Sequence, residues 1–186
     1  MKLYVKHMVS NRCKMLVMEE LDKLLIRYLT VDLGVINVTG HITKEQKTLI
    51  SIALQGSGLE LIEDHKEILI ELIKTAIIKL IHYSDDQPRI NFSDYLSNTL
   101  NYNYTYLSNL FTDAQGINIE HFIITHKIER VKELISYNEL TFSEIAFKLH
   151  YSSIGHLSNQ FKKVTGSTLS SYRTRKCMRH TNLENL

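Results

Sequence analysis

A chain of 186 residues, 44% of them hydrophobic, can bury one or two modest cores, and a net charge of +2 sets no overall bias toward a polyanionic partner. Charge interrupts the apolar runs, as Glu71, Lys74 and Lys79 interrupt Ile68–Ile81, which excludes a membrane span, and the start MKLYVKHMVSNRCK lacks the apolar core and cleavage site of a secretory leader. Two cysteines, Cys13 and Cys177, make neither a disulfide framework nor a four-cysteine zinc site, so a cytoplasmic protein with reduced thiols, no resident metal and no cofactor is expected.

In chain order, LYVKHM is rich in β-branched and aromatic residues and reads as a strand. Cys13, Val17, Leu21 and Leu24 then recur at helical spacing after a cap at Ser10 or Asn11. YLTVDLGVINV suits two short strands. TKEQKTLISIAL, opened by Thr43 with Gln46 three residues on, is a capping-box helix ending at Gly56 and Gly58, and LELIE is a further strand. This order predicts a small α+β domain over residues 1–65. From Lys66 everything reads as helix. Ile68, Leu72, Ala76 and Leu80, flanked by Leu69, Ile73 and Ile77, form a wide apolar stripe that runs out at HYSDDQPRI, which holds the single proline, Pro88.

The helical part repeats itself. YLSNLFTDAQG from Tyr106 and HLSNQFKKVTG from His156 align at an offset of 50, Leu107 with Leu157, Asn109 with Asn159, Phe111 with Phe161 and Gly116 with Gly166. Leu107, Leu110, Phe111 and Ala114 share one helix face and are expected to be buried, as are Leu157, Phe161 and Val164 in the second copy. Thr105, Ser108, Asn109 and Thr112 then face outward, as do Gly155, Ser158, Asn159 and Lys162, with His156 at the edge. Each copy follows a shorter helix, FSDYLSNTL or FSEIAFKLH, the latter opened by a Thr141–Glu144 capping box. The result is helix-turn-helix, written twice, with small hydrogen-bonding residues outside the second helix as major-groove entry requires. Between the copies Ile124, Ile128, Val131 and Ile135 mark one long amphipathic helix over Ile119–Ser136 that would space the two units. Two such units on one side of a duplex must stand roughly 34 Å apart.

Charge is uneven along the chain. Residues 1–65 hold eight basic and eight acidic residues, 66–126 four and seven, and 127–186 ten and five. The last segment carries the footprint of a phosphate backbone, or merely a solvated charged face.

YLSNLFTDAQG, HKIERVKELI, LTFSEIAFKLHYSS and HLSNQFKKVTGSTLSSYR together resemble the DNA-binding domain of AraC/XylS-type transcription regulators, over residues 66–173. The resemblance implies a seven-helix all-α domain with two helix-turn-helix motifs joined by a long linker helix, followed here by a basic tail, 174–186. It implies double-stranded DNA as partner, with RNA polymerase, an effector of unknown kind and a second copy of the chain as further candidates. It places base contacts on Thr105, Ser108, Asn109, Gly155, His156 and Asn159; Lys148, Lys162, Lys163 and Arg173 are the expected phosphate contacts. This chain departs from the pattern in having no positive charge on the first reading face, no side chain at Gly155 and His150 where a glycine is usual. Asparagine's bidentate fit to adenine implies A·T-leaning specificity.

The N-terminal domain is similar in its order to ferredoxin-like domains, and HMVSNRC resembles the Met-x-Cys-x-x-Cys loop of heavy-metal-associated domains. Ser10 stands in place of the first cysteine and is a poor ligand for a soft ion, and Cys13 lies on the apolar stripe of its helix. A sensing or dimerising role is expected in place of metal binding. No Ser/His/Asp set, glycine-rich phosphate loop or paired-carboxylate motif stands out, so no enzyme is expected. The alternative reading is a metal-handling or protein-interaction module whose helical part does not read DNA.

Overall fold

The computed structural model describes residues 1–84 and 91–175; the expected break at Pro88, the tail from residue 176 and Cys177 lie outside the described residues. Packing divides the chain into two compact units, Met1–Ile78 with Ser93–Ala114, and Lys79–Phe92 with the chain from Gln115 onward.

In the first unit, β1 (Lys2–Lys6), α1 (Asn11–Lys23), β2 (Tyr28–Asp32), β3 (Val35–Val38), α2 (Lys44–Gln55) and β4 (Glu60–Ile62) follow one another in the βαββαβ order. The strands form one antiparallel sheet in the order β2-β3-β1-β4. Strand alternation puts Leu3 opposite Ile36 and Val5 opposite Leu61, so one face is apolar; Leu3, Val5, Ile36 and Val38 are buried on it. α1 packs on β2 and α2 on β4, and the two helices touch. The expected capping box is formed: Thr43 Oγ1 accepts from Gln46 N, and Gln46 Oε1 accepts from Thr43 N. Ser10 occupies the N-cap of α1 without making the side-chain capping bond; its Oγ lies 3.4 Å from Cys13 Sγ instead. Cys13 is half-buried, less enclosed than its place on the stripe suggested.

α3 (His65–Ile78) opens on Asp64, whose Oδ1 accepts from the N–H groups of Lys66 and Glu67. Its buried arc is wider than the expected stripe and includes Glu71, neutralised by Lys74 Nζ at 2.8 Å, and Thr75. The breadth has a cause, since α3 packs on β1, and the β2–β3 turn closes on it. Gly34, at φ +76°, comes so near that a Cβ there would meet Thr75 Oγ1 at 3.0 Å. α3 therefore belongs to the sheet by packing, although its sequence character groups it with the helices after residue 65. α4 (Phe92–Leu100) and α5 (Tyr104–Gln115) complete this unit.

The second unit begins with a π-helical turn, Lys79–Tyr83, and continues with α6 (Ile119–Tyr137), α7 (Phe142–Lys148), α8 (Ile154–Thr165) and helical residues 169–175. α6 is capped by Asn118, whose side chain accepts from His121 N, and stops at Asn138 in the left-handed region. Ile128, Val131 and Ile135 of α6 pack with Ile145 and Leu149 around α7 and with Leu157 and Phe161 of α8. No described helix is long and apolar enough to cross a membrane.

Candidate nucleic-acid interface

Both repeats fold as a short helix, a turn and a second helix, and the offset of 50 survives in the caps. Asn103 Oδ1 accepts from Thr105 N at 2.8 Å to start α5, and Ser153 Oγ accepts from His156 N at 3.1 Å to start α8. Both helices are followed by a glycine in the left-handed region, Gly116 at φ +70° and Gly166 at φ +72°. A Cβ at either would meet nothing within 4 Å, so backbone conformation and not crowding selects glycine. The turns differ by one residue. The first bends at Asn101 (φ +58°), next after the end of α4 at Leu100, and the second at His150 (φ +53°), next after Leu149, the C-cap of α7, an offset of 49. His150 takes the glycine-like conformation itself.

Leu107, Phe111, Leu157 and Phe161 are each 0% exposed, which fixes the inward face of both helices. Thr105, Asn109, Gly155, His156 and Asn159 are exposed and Ser108 is half-buried, so the structure puts these six residues on the outward side or at its margin. The predicted inward face is too long by one turn, with Ala114 exposed and Val164 44% exposed, and its margin is uncovered earlier at Leu110, which is half-buried. The last turn of each helix projects past the core that its first two turns cover. On α5, Thr112 Oγ1 donates to Ser108 O and so is engaged with the helix backbone.

The ten basic residues of the C-terminal segment do not all remain available. Lys127 is drawn in: its Nζ donates to Leu149 O at 2.9 Å and lies 5.2 Å from the Tyr151 ring centroid and 5.5 Å from that of Phe92. Burial pulls its pKa below the ordinary lysine value. Arg130 pairs with Glu133 and Lys132 with Glu129. Arg173, expected on phosphate, donates from Nη2 to Leu140 O at 2.7 Å and stacks 4.1 Å from the Phe142 ring centroid, closing the helical residues 169–175 onto the start of α7. Lys148, Lys162 and Lys163 form no ion pair among the described residues, and Lys162 and Lys163 are exposed in the last turn of α8.

Sequence reasoning missed the groups that brace α8. Tyr151 is buried and its hydroxyl, pushed up to about 12 by burial and so a permanent donor, hydrogen-bonds Gln160 Oε1 at 2.7 Å. Ser152 Oγ lies 3.0 Å from His156 Nδ1, and the Tyr151 and His156 rings meet edge to face at 5.2 Å. The i,i+4 relation of Ser152 and His156 was legible; the turn geometry that makes them meet was not. Within the second unit, His82 of the π-helical turn meets α6, with Nδ1 at 3.5 Å from Glu133 Oε2 and its ring 5.8 Å from that of His126. Burial holds both imidazoles below the ordinary histidine pKa. Among the described residues no group of three or more His, Cys, Asp or Glu is placed to hold a metal ion.

A family model described as a helix-turn-helix domain matches residues 96–175, the span of the two turns and the helix between them. That segment resembles AraC-type helix-turn-helix domains. Among curated proteins, this chain is similar to an uncharacterized HTH-type transcriptional regulator of Staphylococcus aureus strain MSSA476, 29% identical over 93 residues, 50% of this chain and 12% of that one. A second, from strain MRSA252, is 28% identical over the same extent. Part of this chain also shares its fold with the C-terminal domain of AraT, a response regulator from Geobacillus stearothermophilus. That domain matches 60% of this chain and 88% of its own at 24% identity, with a TM-score of 0.51. The chain spans 12% of the length of the curated relatives it matches.

Proposed function

We propose that this chain is a sequence-specific DNA-binding transcription regulator in which α5 and α8 each read a major-groove segment. The observation that carries the reading is the repeated division of α5 and α8 between a fully buried Leu–Phe pair and an exposed polar side at the same register. A plain helical bundle also presents a polar outer side; what favours groove entry is that small hydrogen-bonding residues recur at the same positions of both second helices, each following a short helix and a turn. Asn109 and Asn159 supply amide donors and acceptors suited to adenine, while Thr105, Ser108 and His156 add single hydrogen bonds. Gly155 admits close backbone approach. Lys162 and Lys163, with Lys148, supply the phosphate contacts; Arg173 serves mainly to hold the fold. α5 has no basic residue and carries Asp113, so the second unit anchors and the first discriminates.

The linker role of α6, the division 1–65, 66–173 and 174–186, and a ferredoxin-like reading of the βαββαβ domain belong to the same proposal. In it the N-terminal domain senses an effector or pairs with a second copy, RNA polymerase is the partner at the promoter, and the protein works in the cytoplasm. The experiment is selection of bound duplexes from a random pool with the wild type, Asn109→Ala and Asn159→Ala. A motif of two elements one helical turn apart, each weakened by one of the variants, is the expected result. Recovery of no motif overturns specific regulation; a motif unchanged in both variants overturns the reading positions.

A further inference from the structure

We propose that Ser152 is a positioning residue that fixes His156 with its Nε2 proton directed outward, so that this imidazole rejects cytosine at one base position and favours guanine. The proposal rests on the DNA-reading role of α8 and adds what one of its side chains reads.

The residue is held at its backbone and the imidazole on two sides. Its own backbone N–H is bound by the Ser153 cap at 3.1 Å, its Nδ1 meets Ser152 Oγ at 3.0 Å, and the buried Tyr151 ring stands against it edge to face. Tyr151 is itself anchored through its hydroxyl to Gln160, so the wall does not yield. A ring pinned at Nδ1 presents Nε2 to solvent, and His156 is exposed.

Geometry alone leaves the donor undecided between Ser152 and Nδ1. The surroundings decide it. His156 is the third residue of α8, beside first-turn N–H groups that have no intrahelical acceptor and carry partial positive charge. That field favours the tautomer with a lone pair at Nδ1, and the freely rotating serine hydroxyl can donate to it. A neutral imidazole with its lone pair on Nδ1 carries its proton on Nε2. In the major groove guanine offers two acceptors, O6 and N7, whereas cytosine offers only the N4 amino donor. A fixed Nε2–H therefore accepts one and repels the other, and loss of the serine bond would let the ring turn its unprotonated nitrogen toward cytosine.

The test uses the full chain, labelled with nitrogen-15, and reads two signals. Long-range proton–nitrogen spectra above neutral pH should show His156 with Nε2 protonated and Nδ1 accepting a hydrogen bond. Ser152→Ala should move both nitrogen shifts toward those of a mobile imidazole, and Ser152→Thr should restore them. In duplex selection, Ser152→Ala should lower the guanine-over-cytosine preference about fivefold at the one position that His156→Ala also affects, with the rest of the motif unchanged. A proton found on Nδ1 in the wild type overturns the proposal, as does a Ser152→Ala variant with unaltered shifts and preference. A wild-type motif with no position answering to His156→Ala overturns it while leaving the regulator reading intact; recovery of no motif overturns both.

Discussion

Replacing Lys162 and Lys163 together by alanine separates the lysines proposed to meet phosphate from the cations that serve the fold. Both lie exposed in the last turn of α8 with no ion pair among the described residues, so their charges are free to displace counterions. Each phosphate contact adds about 0.9 to the slope of log K against log salt, so losing two should flatten it by about 1.8 and weaken binding roughly 60-fold near 0.1 M salt for every sequence alike. Arg173→Ala is the contrast. Its guanidinium is engaged with Leu140 O and the Phe142 ring, so the variant should lose about 1–3 kcal/mol of stability and leave the salt slope within about half a unit. The assay is fluorescence anisotropy with a labelled duplex across a salt series, beside urea unfolding of each variant. A slope unchanged in the double-lysine variant, or flattened as much by Arg173→Ala, would refute the assignment.

His150→Gly should raise stability by about 0.5–1 kcal/mol, because a left-handed non-glycine residue costs about 1–2 kcal/mol and the entropy of glycine returns part of it; a lower urea midpoint would show that the exposed imidazole makes a contact worth more than the strain. Acidification should destabilise the second unit. The unfolded chain protonates His82 and His126 from near 6.5, while burial delays this in the folded chain, with Glu133 and Glu129 opposing and Arg130 reinforcing the shift at His82. The unfolded state then binds more protons below about 6.5, so stability is full above that pH and declines as pH falls toward the folded values. Urea midpoints at pH 7.5 and 5 should differ less in His82→Gln than in the wild type, and an equal difference would remove His82 from the cause.

Much of the architecture is written in local chemistry. Thr43 and Thr141 each stand three residues before a glutamine or glutamate, and both capping boxes form because all the atoms involved lie within one turn. Gly116 and Gly166 mark helix ends since few other residues accept that backbone, and Leu107, Phe111, Leu157 and Phe161 are buried because helical periodicity puts them on one face. The outward positions of the residues proposed to read bases follow from the same periodicity. His150 shows that a rule broken in the sequence need not be broken in the backbone.

The sequence by itself determined most of the helix caps, the strand and helix order and the inward side of the first two turns of α5 and α8, since these depend on neighbours two to four positions away, and it showed directly that one pattern is used twice. Only the tertiary structure decided which cations stay free, how far the cores reach and which ring braces which. Lys127 finds its carbonyl 22 residues on and Arg173 finds its own 33 residues back, while Ala114 and Val164 are uncovered where the packing stops. A charge in the sequence carries no mark of whether a distant backbone oxygen will claim it, because that partner is supplied by the fold and not by spacing.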